Sequence, residues 1–170
     1  GPLPQRAVDA ITEWAQLRAT PHRLKDEKNF GTLARGRELL AKMIGASPSE
    51  IALAVNTGYG VNLAARSLPM AKGDVIISPH REFPANVYPW MGAAKARGLE
   101  YRLVKTQPGD CVEEKLERAL DDPRVKCMTV SWVDFLTGYR VDLERLGRAC
   151  RAKGAYFVVD GIQALGAWTI

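Results

Sequence analysis

The sequence predicts an α/β fold: a doubly wound, mostly parallel sheet with helices on both faces. Three observations predict it. Short apolar runs such as Val75–Ser78, Val125–Val130 and Tyr156–Asp160 alternate with helical stretches of roughly ten residues. The main helical stretches stop at glycines, Gly45, Gly98 and Gly154, as helices entering a tight turn do. Residues able to do chemistry gather just after the carboxyl ends of the apolar runs, the edge where open α/β sheets bind ligands.

Taken in order, Pro4 can begin a helix over Gln5–Ala19, with Val8, Ile11, Trp14 and Leu17 as its apolar stripe. Thr20–Asn29 is polar and reads as a surface loop. A second helix covers about Phe30–Ile44, and Ser47–Glu50 is a turn. Ile51–Val55 is a short apolar run that predicts a strand. Asn56-Thr57-Gly58-Tyr59-Gly60 follows, then a helical stretch over Val61–Leu68. Strand, glycine turn, helix is a layout that presents free N–H groups to an anion, or an ordinary turn with a Thr cap.

Val75–Ser78 is the next strand. Pro79–Trp90 is too rich in Pro and aromatics for a strand interior. Helix is expected over Val87–Arg97, strand over Glu100–Lys105, loop at Pro108-Gly109-Asp110 and helix over Val112–Leu120. Val125–Val130 is a strand, and Leu136–Arg140 a loop. Asp142 caps a helix to Lys153, and the last strand runs to Asp160.

The chain of 170 residues is long enough to bury a core, and its 46% hydrophobic content is ordinary for a globular protein. The net charge of +5 is scattered among acids, with no basic run interleaved with aromatics, which argues against a nucleic-acid partner. Cys111, Cys127 and Cys150 have no metal-ligand spacing and only His22 and His80 to help them, which argues against zinc. Free thiols fit a reducing cytoplasm. No stretch approaches the roughly 18 apolar residues of a membrane helix.

Asp160 ends the apolar run Tyr156–Val159, read as a strand buried within a parallel sheet. A carboxylate there calls for a cation or hydrogen-bond donors, or else caps the next turn. A parallel sheet brings Thr57, Gly58, Phe83, Asp134, Asp160 and Gln163 toward one edge, where they can share a pocket.

The segments NTGYGVNLAA, REFPANVYPW, SWVDFLTGYRVDLERLG and YFVVDGIQALGA, in this order, resemble the class V aminotransferase family. These are pyridoxal-phosphate enzymes of fold type I, including cysteine desulfurases, kynureninases and isopenicillin N epimerase-like proteins. The likeness covers essentially the whole chain and implies part of the large, cofactor-binding domain of an enzyme acting on a small amino acid. It implies that Asp160 pairs with the protonated pyridine nitrogen and that Gln163 bonds the phenolic oxygen. Thr57 and Gly58 fall in the phosphate turn. Phe83 stands where many relatives stack a His on the ring; it can stack but not move protons. Asp134 lies where desulfurases often have an Asn near the phenolic oxygen, and loop structure is its other reading. Asn86 matches a family position or holds the loop, and His80 reads as a loop histidine. The resemblance also implies a homodimer. REFPANVYPW leans toward the epimerase-like branch.

The resemblance calls for a Schiff-base lysine some tens of residues beyond the Asp. Only ten residues follow Asp160, and none is Lys. Lys105, Lys126 and Lys153 lack a suitable setting. The expectation is therefore a fragment without the small C-terminal domain, with no catalytic lysine of its own and no turnover. The competing expectation is a noncatalytic interaction or regulatory module on the same scaffold. A Rossmann-like nucleotide binder would need a full G-x-G-x-x-G turn, of which NTGYGVN has only part.

Overall fold

The computed structural model describes residues 2–107 and 109–168. Gly1 and Pro108, the latter expected in a loop, lie outside the described residues, as do residues 169–170. The chain divides into two compact units, one up to Leu53 and one spanning Ala54–Trp168.

The first unit holds α1 (Gln5–Ala19) and α2 (Asp26–Ile44). α1 has the expected bounds, but Val8 and Ile11 of its stripe stay exposed. α2 begins four residues earlier than its apolar pattern predicts. Asp26 and Glu27 lie in its first turn, where acids suit the positive end of the helix dipole, so a polar stretch read as loop is helix instead. Lys28 of α2 pairs with Glu13 of α1. α2 stops at Gly45, whose φ of 66° is the left-handed conformation that a side chain would oppose.

Residues 51–55, expected as a strand, form none. Two of the five are alanine, which suits a strand poorly, and Val55 is 86% exposed.

In the second unit, α3 (Thr57–Ser67) starts at Thr57 rather than Val61. Asn56 caps it: its side-chain oxygen accepts the Tyr59 N–H at 2.8 Å. The strands are β1 (Val75–Pro79), β2 (Glu100–Val104), β3 (Val125–Ser131) and β4 (Tyr156–Asp160), all parallel in the order β2-β1-β3-β4. α4 (Tyr88–Arg97), α5 (Val112–Ala119) and α6 (Leu143–Lys153) make the crossovers.

The step from β1 to β2 goes one way across the sheet, and the step from β2 to β3 returns past β1. Crossovers of one hand then put α4 and α5 on opposite faces. The packing agrees. Ile76 and Cys127 meet Trp90, Ala93 and Ala94 of α4 and Val61 and Ala65 of α3. Val75, Ile77, Met128 and Val130 meet Leu116 of α5 and Leu146 of α6 on the other face. Burying one such aliphatic side chain stabilises the fold by about 1.5–3 kcal/mol. Arg97 ties α4 to the end of α3 by donating to the carbonyls of Ala65, Leu68 and Met70 at 3.0, 2.9 and 2.7 Å.

β4 corrects one expectation. Its apolar run predicts a strand buried within the sheet, yet among the described residues it is an outer strand, with Tyr156 and Val159 still 42% and 36% exposed. A continuous apolar run fits a strand with one free edge as well as an interior one, and periodicity does not separate them.

Candidate functional site

The reversal of strand order lies between β1 and β3, so the carboxyl ends of these strands form the switch point of the sheet. The register places Ser131, the last residue of β3, beside Asp160, the last residue of β4. The Trp132 N–H donates to the Asp160 carbonyl at 2.9 Å and fixes the chain where both strands end.

Asp160 is 5% exposed. Its Oδ1 accepts the Ile162 N–H at 3.1 Å, closing the turn that follows. Its Oδ2 is buried and accepts no hydrogen bond among the described residues. A buried carboxylate oxygen without a donor costs free energy unless a cationic or N–H group arrives to meet it. The capping role and the ligand-seeking role are thus divided between the two oxygens of one side chain.

The Pro79–Trp90 segment is anchored to β3 by groups far apart in sequence. Glu82 accepts the Ser131 N–H at 2.8 Å and the Ser131 hydroxyl at 2.6 Å. It also accepts Asn86 Nδ2 at 3.2 Å. Asn86 is fully buried, and its oxygen accepts Thr129 Oγ1 at 2.7 Å and Trp90 Nε1 at 3.2 Å. Asn86 therefore holds the loop. Phe83, between these anchors, is 40% exposed and meets Phe135 edge to face, with ring centroids 5.1 Å apart.

Asp134 accepts the Leu136 and Thr137 N–H groups and the Thr137 hydroxyl, all through Oδ1. That oxygen is committed to shaping its own turn. Gln163 is exposed on the turn Gly161–Leu165, which is closed by the Leu165 N–H donating to Gly161 O at 2.8 Å. Arg140 lies over the Trp168 ring at 4.2 Å and braces the end of this segment. Thr57 and Gly58 are half-buried in the first turn of α3, and α3 packs on β4 through Val61, Ala65 and Val158. The helix thus begins at the two residues expected to receive an anion.

A cavity of about 320 Å³ is lined by His80, Arg81, Glu82, Ser131 and Asp134 together with Thr106 and Asp110 beyond β2; of the six predicted site residues it includes Asp134 alone, and Thr57, Gly58, Phe83, Asp160 and Gln163 lie outside its lining. Burial also raises the pKa of three groups of the sheet and the helix beside it. Burial pushes the Cys127 and Cys150 thiols up to about 12 and about 11, so neither supplies a thiolate. Burial likewise raises Tyr101 to about 12, with its hydroxyl 2.7 Å from Ser78 Oγ.

The sequence alone did not single out Glu82, Ser131 or Phe135. The sequence motif contains Glu82, but its partner Ser131 is 49 positions away, and only the sheet order brings them together. An exposed aromatic in a loop signals nothing without the second ring beside it.

Fold and site together define a parallel α/β domain that offers a buried, half-satisfied carboxylate at the carboxyl edge of its sheet. The chain belongs to the aminotransferase class-V family, whose model matches residues 1–170. It is 33% identical over 135 residues to a probable cysteine desulfurase of Methanothermobacter thermautotrophicus, covering 79% of this chain and 33% of that protein. It is also 33% identical over 172 residues to the isopenicillin N epimerase of Amycolatopsis lactamdurans, covering 98% of this chain and 43% of the relative. Its fold is similar to the cystine C-S lyase C-DES, with a TM-score of 0.85 at 23% identity over 99% of this chain and 46% of that one. A cysteine desulfurase from Thermococcus onnurineus NA1 matches 81% of this chain and 35% of that one at 26% identity, with a TM-score of 0.72. The chain thus spans less than half the length of these relatives. Among the described residues, no helix is long and apolar enough to cross a membrane.

Proposed function

We propose that this chain forms the cofactor-binding part of a pyridoxal 5'-phosphate-dependent enzyme acting on a small amino acid. The observation that carries the reading is the buried Oδ2 of Asp160, which lacks a donor among the described residues and fits the N–H of a protonated pyridine ring. When bound, the cofactor supplies an electron sink for charge developing at the substrate's α-carbon.

The residues of this chain bind and orient it. Asp160 keeps the ring nitrogen protonated through Oδ2 while Oδ1 holds the turn to Ile162. Phe83 offers an apolar face to the ring and, having no titratable proton, leaves proton transfer to other groups. Thr57 and Gly58 receive the phosphate with their N–H groups at the start of α3, aided by the Thr57 hydroxyl. Gln163 donates its amide to the phenolic oxygen. Asp134 shapes the adjacent turn, its Oδ1 accepting three donors there.

The choice among transamination, elimination, desulfuration and epimerisation belongs to groups that move a proton at the α-carbon. Lys153 pairs with Asp121 at the carboxyl end of α6, and Lys126 is the second residue of β3, so both lie toward the opposite edge of the sheet. The covalent lysine anchor is proposed to come from sequence outside these 170 residues, as are the substrate contacts, and the chain alone is expected to hold the cofactor weakly without turnover. The dimer implied by the family and a cytoplasmic setting belong to the same proposal. A noncatalytic scaffold would have no use for a buried carboxylate oxygen lacking a donor.

Titration with pyridoxal 5'-phosphate, followed by visible circular dichroism, tests the reading. An induced band that saturates and is lost on adding excess pyridoxine 5'-phosphate is expected. A flat signal at millimolar ligand contradicts it.

A further inference from the structure

We propose that Glu82 is a positioning residue that sets the Phe83 ring as a wall of the cofactor site, an inference that rests on the pyridoxal-phosphate reading above. Three observations carry it. Glu82 grips the end of β3 twice, through the N–H and the hydroxyl of Ser131, and Ser131 is the register neighbour of Asp160. The residue before it, Arg81, has a φ of 75°, a left-handed conformation that a non-glycine residue adopts only when its surroundings hold it there. The residue after it, Phe83, meets Phe135 of the loop that leaves β3, so two half-exposed rings stand together at the carboxyl edge.

The geometry explains why a carboxylate is used. Ser131 N–H, Ser131 Oγ–H and Asn86 Nδ2–H all donate toward Glu82, so its two oxygens serve three donors, a task for an acceptor-only group. A glutamine would turn an NH2 group toward Asn86 Nδ2, setting donor against donor. His80, on the other side of Arg81, donates its N–H to Val104 O at 2.8 Å and fixes the far end of the strained step on β2. The loop is therefore clamped on both sides of Arg81, and Phe83 has little freedom to swing away from the strand ends. Glu82 acts through Phe83 and touches no reacting atom.

A double-mutant cycle on this chain tests the proposal, pairing Glu82→Ala with Phe83→Leu and reading the dissociation constant for pyridoxal 5'-phosphate by visible circular dichroism. Each single variant is expected to weaken binding about tenfold, the effect of one good interaction. The double variant is expected to be no weaker than the weaker single, because both changes remove the same ring contact. Tryptic cleavage after Arg81 is expected to speed up in Glu82→Ala and to stay at the parent rate in Phe83→Leu. If Glu82→Ala does not fold, Glu82→Gln takes its place in the cycle. Losses that multiply, or an unchanged dissociation constant in the Glu82 variant, overturn the positioning role while leaving the cofactor reading intact. A parent chain that does not bind the cofactor overturns both.

Discussion

Replacing Asp160 with Asn separates the two duties of this side chain. The isostere keeps Oδ1, and with it the 3.1 Å bond from Ile162 N–H, but puts an NH2 group where Oδ2 was. In the unliganded chain the change removes a buried carboxylate that has a single donor among the described residues. Relief of that desolvation is expected to raise unfolding stability by about 1 kcal/mol. In the liganded chain the same change replaces a carboxylate acceptor with an amide donor, so the ring nitrogen sheds its proton and a charge-assisted bond worth about 1.5–3 kcal/mol is lost. Affinity for pyridoxal 5'-phosphate is then expected to fall roughly 10- to 100-fold. The two effects have opposite signs, which ordinary damage to the fold cannot produce. Thermal melts with and without ligand, together with the titration, measure both. A variant that is less stable without ligand, yet binds as tightly as the parent, would refute the reasoning and leave Asp160 as a turn cap.

Three further outcomes follow from the packing. Asn86→Ala leaves Thr129 Oγ1 and Trp90 Nε1 unpaired in a fully buried setting and should cost about 3 kcal/mol in urea denaturation. Arg97→Ala frees three carbonyls at the end of α3 and should cost about 2 kcal/mol, with Arg97→Lys recovering part of it. Burial acts to raise the carboxyl of Glu113, but the Asp142 N–H and the Tyr139 hydroxyl outweigh it and hold the group below the usual carboxylate range. Its contribution is therefore complete above its unfolded value of about 4.3 and fades as pH falls through the lower folded value. The stability gap between the parent and Glu113→Gln, measured by denaturation from pH 7 to pH 3, should narrow on the acid side.

The elements most legible in the sequence were those whose ends carry a local chemical signal. Gly98 and Gly154 stop α4 and α6 in the left-handed conformation, and Asp142 caps α6 by accepting the Arg145 N–H, as their residue types predict. β1, β3 and β4 follow from short apolar runs and β2 from its alternation, and Asp160 stands at a strand end because the run before it stops there. Ile51–Val55 misled because apolarity alone does not supply a neighbouring strand. The start of α2 was missed because charge in a first helical turn looks like charge in a loop. The Glu82–Ser131 and Asn86–Thr129 contacts depend on β1 and β3 lying side by side, a consequence of strand order that no local spacing encodes. Which oxygen of Asp160 lacks a donor, and which of Asp134 is already spent on a turn, are likewise facts of side-chain geometry.

The central claim is that one carboxylate oxygen at the tip of β4 meets a ring nitrogen. The most direct test is the ¹⁵N chemical shift of pyridoxal 5'-phosphate labelled at that nitrogen, bound to the parent chain and to Asp160→Asn at neutral pH. The account predicts a protonated pyridinium shift in the parent and an unprotonated pyridine shift in the variant. The same shift in both proteins would contradict it.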